Sequence, residues 1–322
     1  MKRLYRLILL CMVMVLLCGC SLTTKEPLSK TGFHFDTVIT ITLYDSKNEE
    51  LLNTCFNYCK DFENLVSRTI PTSDISRINM SAGSSIEVSD TTIELLKKGI
   101  EFGELTDGAF DITIAPLSEL WDFKNNPGNV PSESDIVEAL SHVNYKNIVI
   151  EGNTVTLTDP KAAIDLGGIA KGYMADQLKE YLLNEGVTSA IINLGGNVLT
   201  IGEKPDGNAF HIGIQKPFDE QNAAITSVQV KDSSVVTSGS YERYFKVNDT
   251  IYHHILNTAT GYPCDNELLS VTILSEKSID GDVLSTSCFA LGLEEGRKLI
   301  ESLEDMDAIF VTDDYEIIDT RD

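Results

Sequence analysis

Asp165-Leu166-Gly167-Gly168-Ile169-Ala170-Lys171-Gly172 is the stretch on which the reading of this chain turns. Residues 155–158 and 162–164 just before it are strand-like. Residues 173–184 just after it form a helix, with apolar side chains at Met174, Leu178, Tyr181 and Leu182 and Gly186 as a stop. An acid, a double glycine and a lysine thus sit on a strand-to-helix turn. Adjacent glycines let backbone approach a ligand closely, and a helix N-terminus offers unpaired N–H groups to an anion. The spacing is neither the GxxxxGK phosphate loop nor the GxGxxG dinucleotide fingerprint.

Upstream of that turn, residues 37–44 alternate with β-branched side chains and predict a strand with one buried face. Residues 46–64 predict an amphipathic helix. Residues 66–79 read as a loop with Pro71, then a short polar helix start. Ser89 or Asp90 caps a helix running from about 91 to 105. Asp107-Gly108 is a turn, and the residues after it, through Ala109, Phe110 and Asp111, read as a buried strand. Trp121, the single tryptophan, raises a ring-binding surface nearby. Ser132 caps a helix to Leu140, and residues 147–150 and 154–157 form a hairpin about Gly152-Asn153.

Downstream, residues 190–194 are a buried strand ending in a second double glycine, Gly195-Gly196. Residues 210–214, 224–230, 234–237, 244–247 and 269–274 predict further strands. Residues 280–292 predict a mostly apolar helix with Asp282, Ser285 and Thr286 on one face, at i, i+3 and i+4. These are hard oxygen ligands of the kind Mg²⁺ takes; they are equally the groups of an N-capped helix. Residues 307–311 and 316–318 close the chain as a strand pair.

Charge narrows the function classes. The chain has 49 acidic residues against 25 Lys and Arg, a formal charge of −24. Such a balance argues against a nucleic-acid surface, because a phosphate backbone selects basic patches. Of seven cysteines, Cys55 and Cys59 lie four apart on a helix as small buried hydrophobes; no CxxC pair or zinc spacing exists. Lys2, Arg3 and Arg6 precede an apolar run at 8–17 that is too short to span a bilayer comfortably. Leu17-Cys18-Gly19-Cys20-Ser21 then resembles the lipobox of bacterial lipoproteins. The expected organisation is a signal peptide at 1–19, a lipid on Cys20, a tether at 20–30 and one globular domain at 31–322. The protein is expected to be exported and held on the outer face of the cytoplasmic membrane by lipid alone.

Seven stretches, in order, resemble the ApbE family of flavin transferases. They are Asp74-Ile75-Ser76-Arg77-Ile78-Asn79; Gly108-Ala109-Phe110-Asp111 with Pro116, Leu117 and Trp121; the Asp165–Gly172 turn; Asn193-Leu194-Gly195-Gly196-Asn197; Thr237-Ser238-Gly239 with Tyr241 and Arg243; His254 with Thr260-Gly261; and Asp282 through Thr286. The resemblance implies an α+β fold of two interleaved lobes of mixed, largely antiparallel sheet with packed helices, and a nucleotide cleft between them. It implies transfer of the FMN half of FAD to a threonine of another exported or membrane redox protein, with Mg²⁺ as cofactor and AMP as leaving group. FAD pyrophosphatase activity, or FAD binding without chemistry, remains open from sequence. The acceptor is then a separate flavin-carrier protein.

By the same resemblance His254 is the base and Asp282 a catalytic ligand. Asp282 and Thr286, with carbonyls of Ser285 and Gly168, hold the metal. Phe35, Thr69, Ala109, Phe110, Asp111, Asp165, Lys171 and Leu256 contact FAD. The chain departs from many relatives in carrying Phe35-Asp36-Thr37 for Met-Gly-Thr, Thr69 for a tyrosine, and Gly168 for a serine or threonine.

Overall fold

The computed structural model describes residues 26–219, 221 and 223–322. The signal-peptide residues, Cys20 and the start of the tether lie outside the described residues. The first strand, β1 (Leu28–His34), begins three residues inside the expected tether and pairs antiparallel with β2 (Thr37–Leu43). Phe35 and Asp36 form the two-residue turn between them, both with positive φ (54° and 58°). That is the backbone a tight hairpin turn demands. Asp36 is tied to Lys124 at 2.6 Å.

β2 shows why alternation predicts a strand here: Ile39, Ile41 and Leu43 are fully buried while Val38 is exposed. Each buried side chain of this size contributes about 1.5–3 kcal/mol. Helix α1 (Glu49–Val66) starts at Asn48, whose side chain accepts from Glu50 N, and buries Cys55 and Cys59 among Leu51, Leu52, Phe56 and Phe62. Short α2 (Asp74–Asn79), β3 (Ile86–Glu87) and α3 (Asp90–Leu105) follow. Ser89 caps α3 through Thr92 N. Helices α4 (Ala115–Trp121) and α5 (Glu133–Leu140) come next, then the hairpin β4 (Ile148–Glu151) and β5 (Thr154–Leu157). Ser132 caps α5 as expected.

Helix α6 (Ala170–Asn184) leads into β6 (Ser189–Leu194) and β7 (Asn197–Gly202), then β8 (Phe210–Gln215) and β9 (Ala224–Val230). Strand β10 (Ser234–Gly239), the hairpin β11 (Tyr244–Val247) and β12 (Thr250–His253), and β13 (Leu268–Ser275) precede the long helix α7 (Ser278–Glu301). Strands β14 (Asp307–Thr312) and β15 (Ile317–Asp319) end the chain. An eight-stranded sheet runs β1-β2-β6-β7-β10-β13-β14-β15, antiparallel at every pairing. Helices α6 and α7 pack on one face of it. The β8–β9 hairpin adds a small core of Phe210, Ile212, Ile214, Val228 and Val230 against Val235, Leu274 and Ile309 of the sheet. Strand β13, covered from both sides, is almost wholly buried.

The second lobe holds the three-stranded sheet β3-β5-β4, helices α2 to α5 and the β11–β12 hairpin. The chain enters it after α1, leaves at the Asp165 turn and re-enters after β10, so the lobes interleave. Two local expectations are corrected here. The residues after Phe110 do not form a strand. Asp111 Oδ1 accepts from Thr113 N (2.7 Å) and Oγ1 (2.6 Å), and Pro116 opens helix α4. Both features favour a turn into a helix start. Trp121 offers no surface to a ligand ring. It is completely buried with Phe245, Leu256 and Leu117, and its Nε1 donates to Gly261 O at 2.8 Å.

Helices α6 and α7 approach so closely that Gly172 has no room for a side chain. A Cβ there would lie 2.4 Å from Ser278 O and 2.6 Å from Ile279 Cα. Both obstacles are backbone, so relief requires moving a helix. Gly172→Ala is expected to lower stability by about 1–3 kcal/mol, the usual cost of overpacking. Urea unfolding measures it, and an unchanged midpoint would contradict the packing described.

Candidate functional site

The turn that opens the sequence reading is held from three directions. Asn79, at the end of α2, pairs with both backbone groups of Ile164: its Oδ1 accepts from Ile164 N at 2.7 Å and its Nδ2 donates to Ile164 O at 2.9 Å. Asp165 N donates to Ile112 O at 2.8 Å. Residues 162–164 therefore do not form the expected strand; a single parallel bridge from Ala163 to Ile114 is all the sheet character they have. Asp165 itself accepts from Gly167 N at 2.8 Å and pairs with Arg68 at 3.0 Å. Arg68 also reaches Glu119 of α4 at 3.2 Å. Nothing in the sequence pattern singled out Arg68.

The next turn of chain meets helix α7. Asp282 is 3% exposed. Its Oδ2 accepts from Gly172 N at 2.9 Å, and its Oδ1 lies 3.3 Å from the Lys171 ammonium. One turn on, the hydroxyls of Ser285 and Thr286 both meet the Ser238 hydroxyl, at 2.8 and 3.1 Å. Gly168 faces this group: a Cβ there would stand 3.0 Å from Phe110 Cε2 and 3.8 Å from Thr286 Oγ1. The structure thus brings Phe110, Gly168, Lys171, Asp282, Ser285 and Thr286 together from three separate segments. Ser238 belongs with them; its motif was recognised in the sequence but its role was not. Asp176 of α6 completes the docking, its carboxylate accepting from Ser278 N (2.8 Å) and Ile279 N (2.9 Å) at the start of α7. Burial pushes that carboxyl up to about 6.

His254 follows β12. Its backbone N donates to Arg243 O at 3.1 Å, and its buried Nδ1 has no hydrogen-bond partner among the described residues. Burial pushes its imidazole down to about 3, and the charges of Arg243, His253 and Lys171 push the same way. The ring is therefore neutral at physiological pH. Glu242, next to Arg243 in the chain, has its carboxyl raised by desolvation against the opposing pull of Lys171 and Arg243. His253, next to His254 in the chain, is buried. Its Nε2 meets Cys264 O at 2.9 Å and its ring lies edge-on to Phe289.

The remaining predicted contact residues are each held by local partners. Phe35 packs edge-on against Phe62, and its N donates to Glu63 at 2.8 Å. Thr69 is turned back on Ser67, at 3.0 Å between hydroxyls, beside Arg68. Ala109 and Phe110 follow the Gly108 turn, where Phe110 N donates to Thr106 Oγ1 at 3.0 Å. Asp111 spends both oxygens internally, on Thr113 and on Tyr145 N (2.8 Å), so its contribution is to shape the loop. Leu256 is buried in the Trp121 cluster. Among the described residues, no three of His, Cys, Asp and Glu gather as a metal cluster, so a cation here would rest on one carboxylate with hydroxyl and carbonyl oxygens.

A neutral buried histidine has a pH consequence. The folded value lies below the unfolded 6.5. As pH falls through 6.5 the unfolded chain takes up a proton that the folded chain refuses, so this contribution to stability is complete above 6.5 and is lost as pH falls toward about 3. Chemical unfolding between pH 7 and pH 4 should show His254→Gln flattening that decline relative to the parent. Parallel pH curves for the two proteins would refute the buried neutral ring.

A model of the ApbE family matches residues 35–310. A FAD:protein FMN transferase of Klebsiella pneumoniae is 40% identical over 283 residues, covering 87% of each chain. One from Treponema pallidum is 31% identical over 282 residues, covering 83% of this chain and 78% of its own. The crystal structure of the ApbE protein of Thermotoga maritima superposes with a TM-score of 0.84 at 33% identity, covering 91% of this chain and 97% of that one. The match spans both lobes, including every segment that contributes to the site, and on these grounds the chain belongs to the ApbE family.

Proposed function

We propose that the protein transfers the FMN half of FAD to a threonine hydroxyl of a partner protein, releasing AMP, with Mg²⁺ as cofactor. The observation that carries this reading is the meeting of Asp282, Thr286 and Gly168 at the Lys171 helix start, with a neutral, partnerless histidine ring in electrostatic reach of Lys171. Pure storage of a nucleotide has no need of an unpaired buried base.

The donor set fits Mg²⁺ by its chemistry: a carboxylate, a hydroxyl and backbone carbonyls are all hard oxygens. Asp282 and Thr286 would hold it, with the carbonyls of Ser285 and Gly168. Bound there, Mg²⁺ supplies charge neutralisation to a diphosphate whose P–O–P bond is breaking. The chain's own groups do the rest. Lys171 and Arg243 attract the dianionic diphosphate. His254 takes the threonine proton as the oxygen attacks the phosphorus on the FMN side, and AMP leaves with the electrons of the broken P–O bond. An imidazole held at about 3 is a weak base. Burial is the larger cause of that depression, and a bound diphosphate offsets the smaller part that comes from Lys171 and Arg243.

The reaction is proposed to run outside the cytoplasmic membrane, on a protein tethered through Cys20. The support is the N-terminal sequence pattern. No described helix is long and apolar enough to cross a membrane.

The test mixes the purified protein with FAD, Mg²⁺ and a flavin-carrier domain bearing an acceptor threonine, and reads the carrier by intact-mass spectrometry. A gain of one FMN moiety with AMP released, both abolished by EDTA, is the expected result. Free FMN and AMP without a mass gain would mean hydrolysis, and intact FAD would mean storage. His254→Asn is expected to slow transfer by about 10²–10⁴-fold, the usual worth of a general base. A variant as fast as its parent would remove His254 from that role.

A further inference from the structure

Asp282 carries a charge that the fold cannot leave bare. A buried carboxylate without a counter-charge is costly. Its Oδ2 is satisfied by Gly172 N. Its Oδ1 faces the Lys171 ammonium at 3.3 Å, and the same ammonium lies 3.5 Å from the Gly167 carbonyl. Lys171 thus sits between a carboxylate and a carbonyl of the double-glycine turn, beside Gly168 and Thr286. Those are the oxygen types, at the same turn, that a hard divalent cation would use.

Resting on the function proposed above, we infer that Lys171 is the resident counter-cation of Asp282 in the ligand-free protein, and that a divalent cation displaces it and thereby frees its ammonium for the diphosphate. Three observations carry this. Two cations cannot share one buried carboxylate oxygen without strong repulsion. Both Lys171 contacts are longer than the 2.7–2.9 Å or so of a firm charge-assisted hydrogen bond, so the ammonium is loosely held. Its side chain is 25% exposed and ends a flexible four-carbon stem, so it has room to leave. Metal and nucleotide then assist each other: the diphosphate draws Lys171 off Asp282, and the metal drives Lys171 toward the diphosphate. Such coupling is reciprocal by thermodynamic necessity.

The probe is Mn²⁺, titrated into the nucleotide-free protein and followed by the EPR signal of the free ion. Lys171→Met and Lys171→Gln remove the competing charge; the second keeps hydrogen-bonding capacity should the first fail to fold, and a thermal melt reports on both. Each is expected to bind Mn²⁺ about tenfold more tightly than the parent, within the usual range of coupling free energies. Added FAD should tighten Mn²⁺ binding more in the parent than in either variant. Asp282→Asn should abolish binding in every background. Equal or weaker Mn²⁺ binding by the folded variants overturns the exchange and leaves flavin transfer untouched. Mn²⁺ binding that survives Asp282→Asn, or is absent from all the proteins, overturns it as well. The exchange seen in the Mn²⁺ titration without any mass gain on the carrier would instead count against the transferase reading.

Discussion

Everything in this molecule that bears on chemistry depends on how closely helices α6 and α7 approach. The approach is set by one glycine and two carboxylates. Gly172 lets the α7 backbone come within contact distance of α6. Asp282 of α7 then reaches back to Gly172 N, and Asp176 of α6 reaches across to the first N–H groups of α7. Each helix thus supplies an acid to an unsatisfied backbone donor of the other, which answers the orphan N–H groups of two helix starts at once. The face of α7 carrying Ser285 and Thr286 is aimed at the double glycine by the same contacts.

The electrostatics follow from that geometry. The chain is strongly acidic overall, yet each acid of the central site meets a cation brought from elsewhere: Arg68 from the loop after α1 for Asp165, and Lys171 from the start of α6 for Asp282. The cations nearest the site are therefore already neutralised by its own acids. His254 is held neutral by burial first, and then by the charges of Arg243 and Lys171.

Much of the fold was legible because it rests on local pattern. The alternation in β2, the caps Ser89 and Ser132, and the Gly152-Asn153 turn all appear where period and turn chemistry place them. Where the reading failed, a local preference was outweighed by something distant or overlooked. Residues 162–164 look like a strand but take their backbone partners from the Asn79 side chain, 85 residues away in sequence from Ile164. The stretch after Phe110 turns into a helix because Asp111 bends it back on Thr113 and Pro116 presets the next turn. Trp121 reads as a ligand surface until Gly261 O is found against its Nε1, which closes it into a core.

The sequence by itself determined the α+β class, the order of the elements and the motif residues on which the site is built, because periodicity, capping and glycine placement are properties of neighbours along the chain. Only the tertiary structure decided which of those residues act together. Ser238, Thr286 and Gly168 converge, and Lys171 finds Asp282, across 111 positions of sequence in the last case. Phe35 and Leu256, by contrast, are parcelled into separate packing clusters. The physical reason is that a buried charge is tolerable only beside its partner. Which partner reaches it is settled by how the helices pack, and helix packing is written in contacts between residues far apart in the chain.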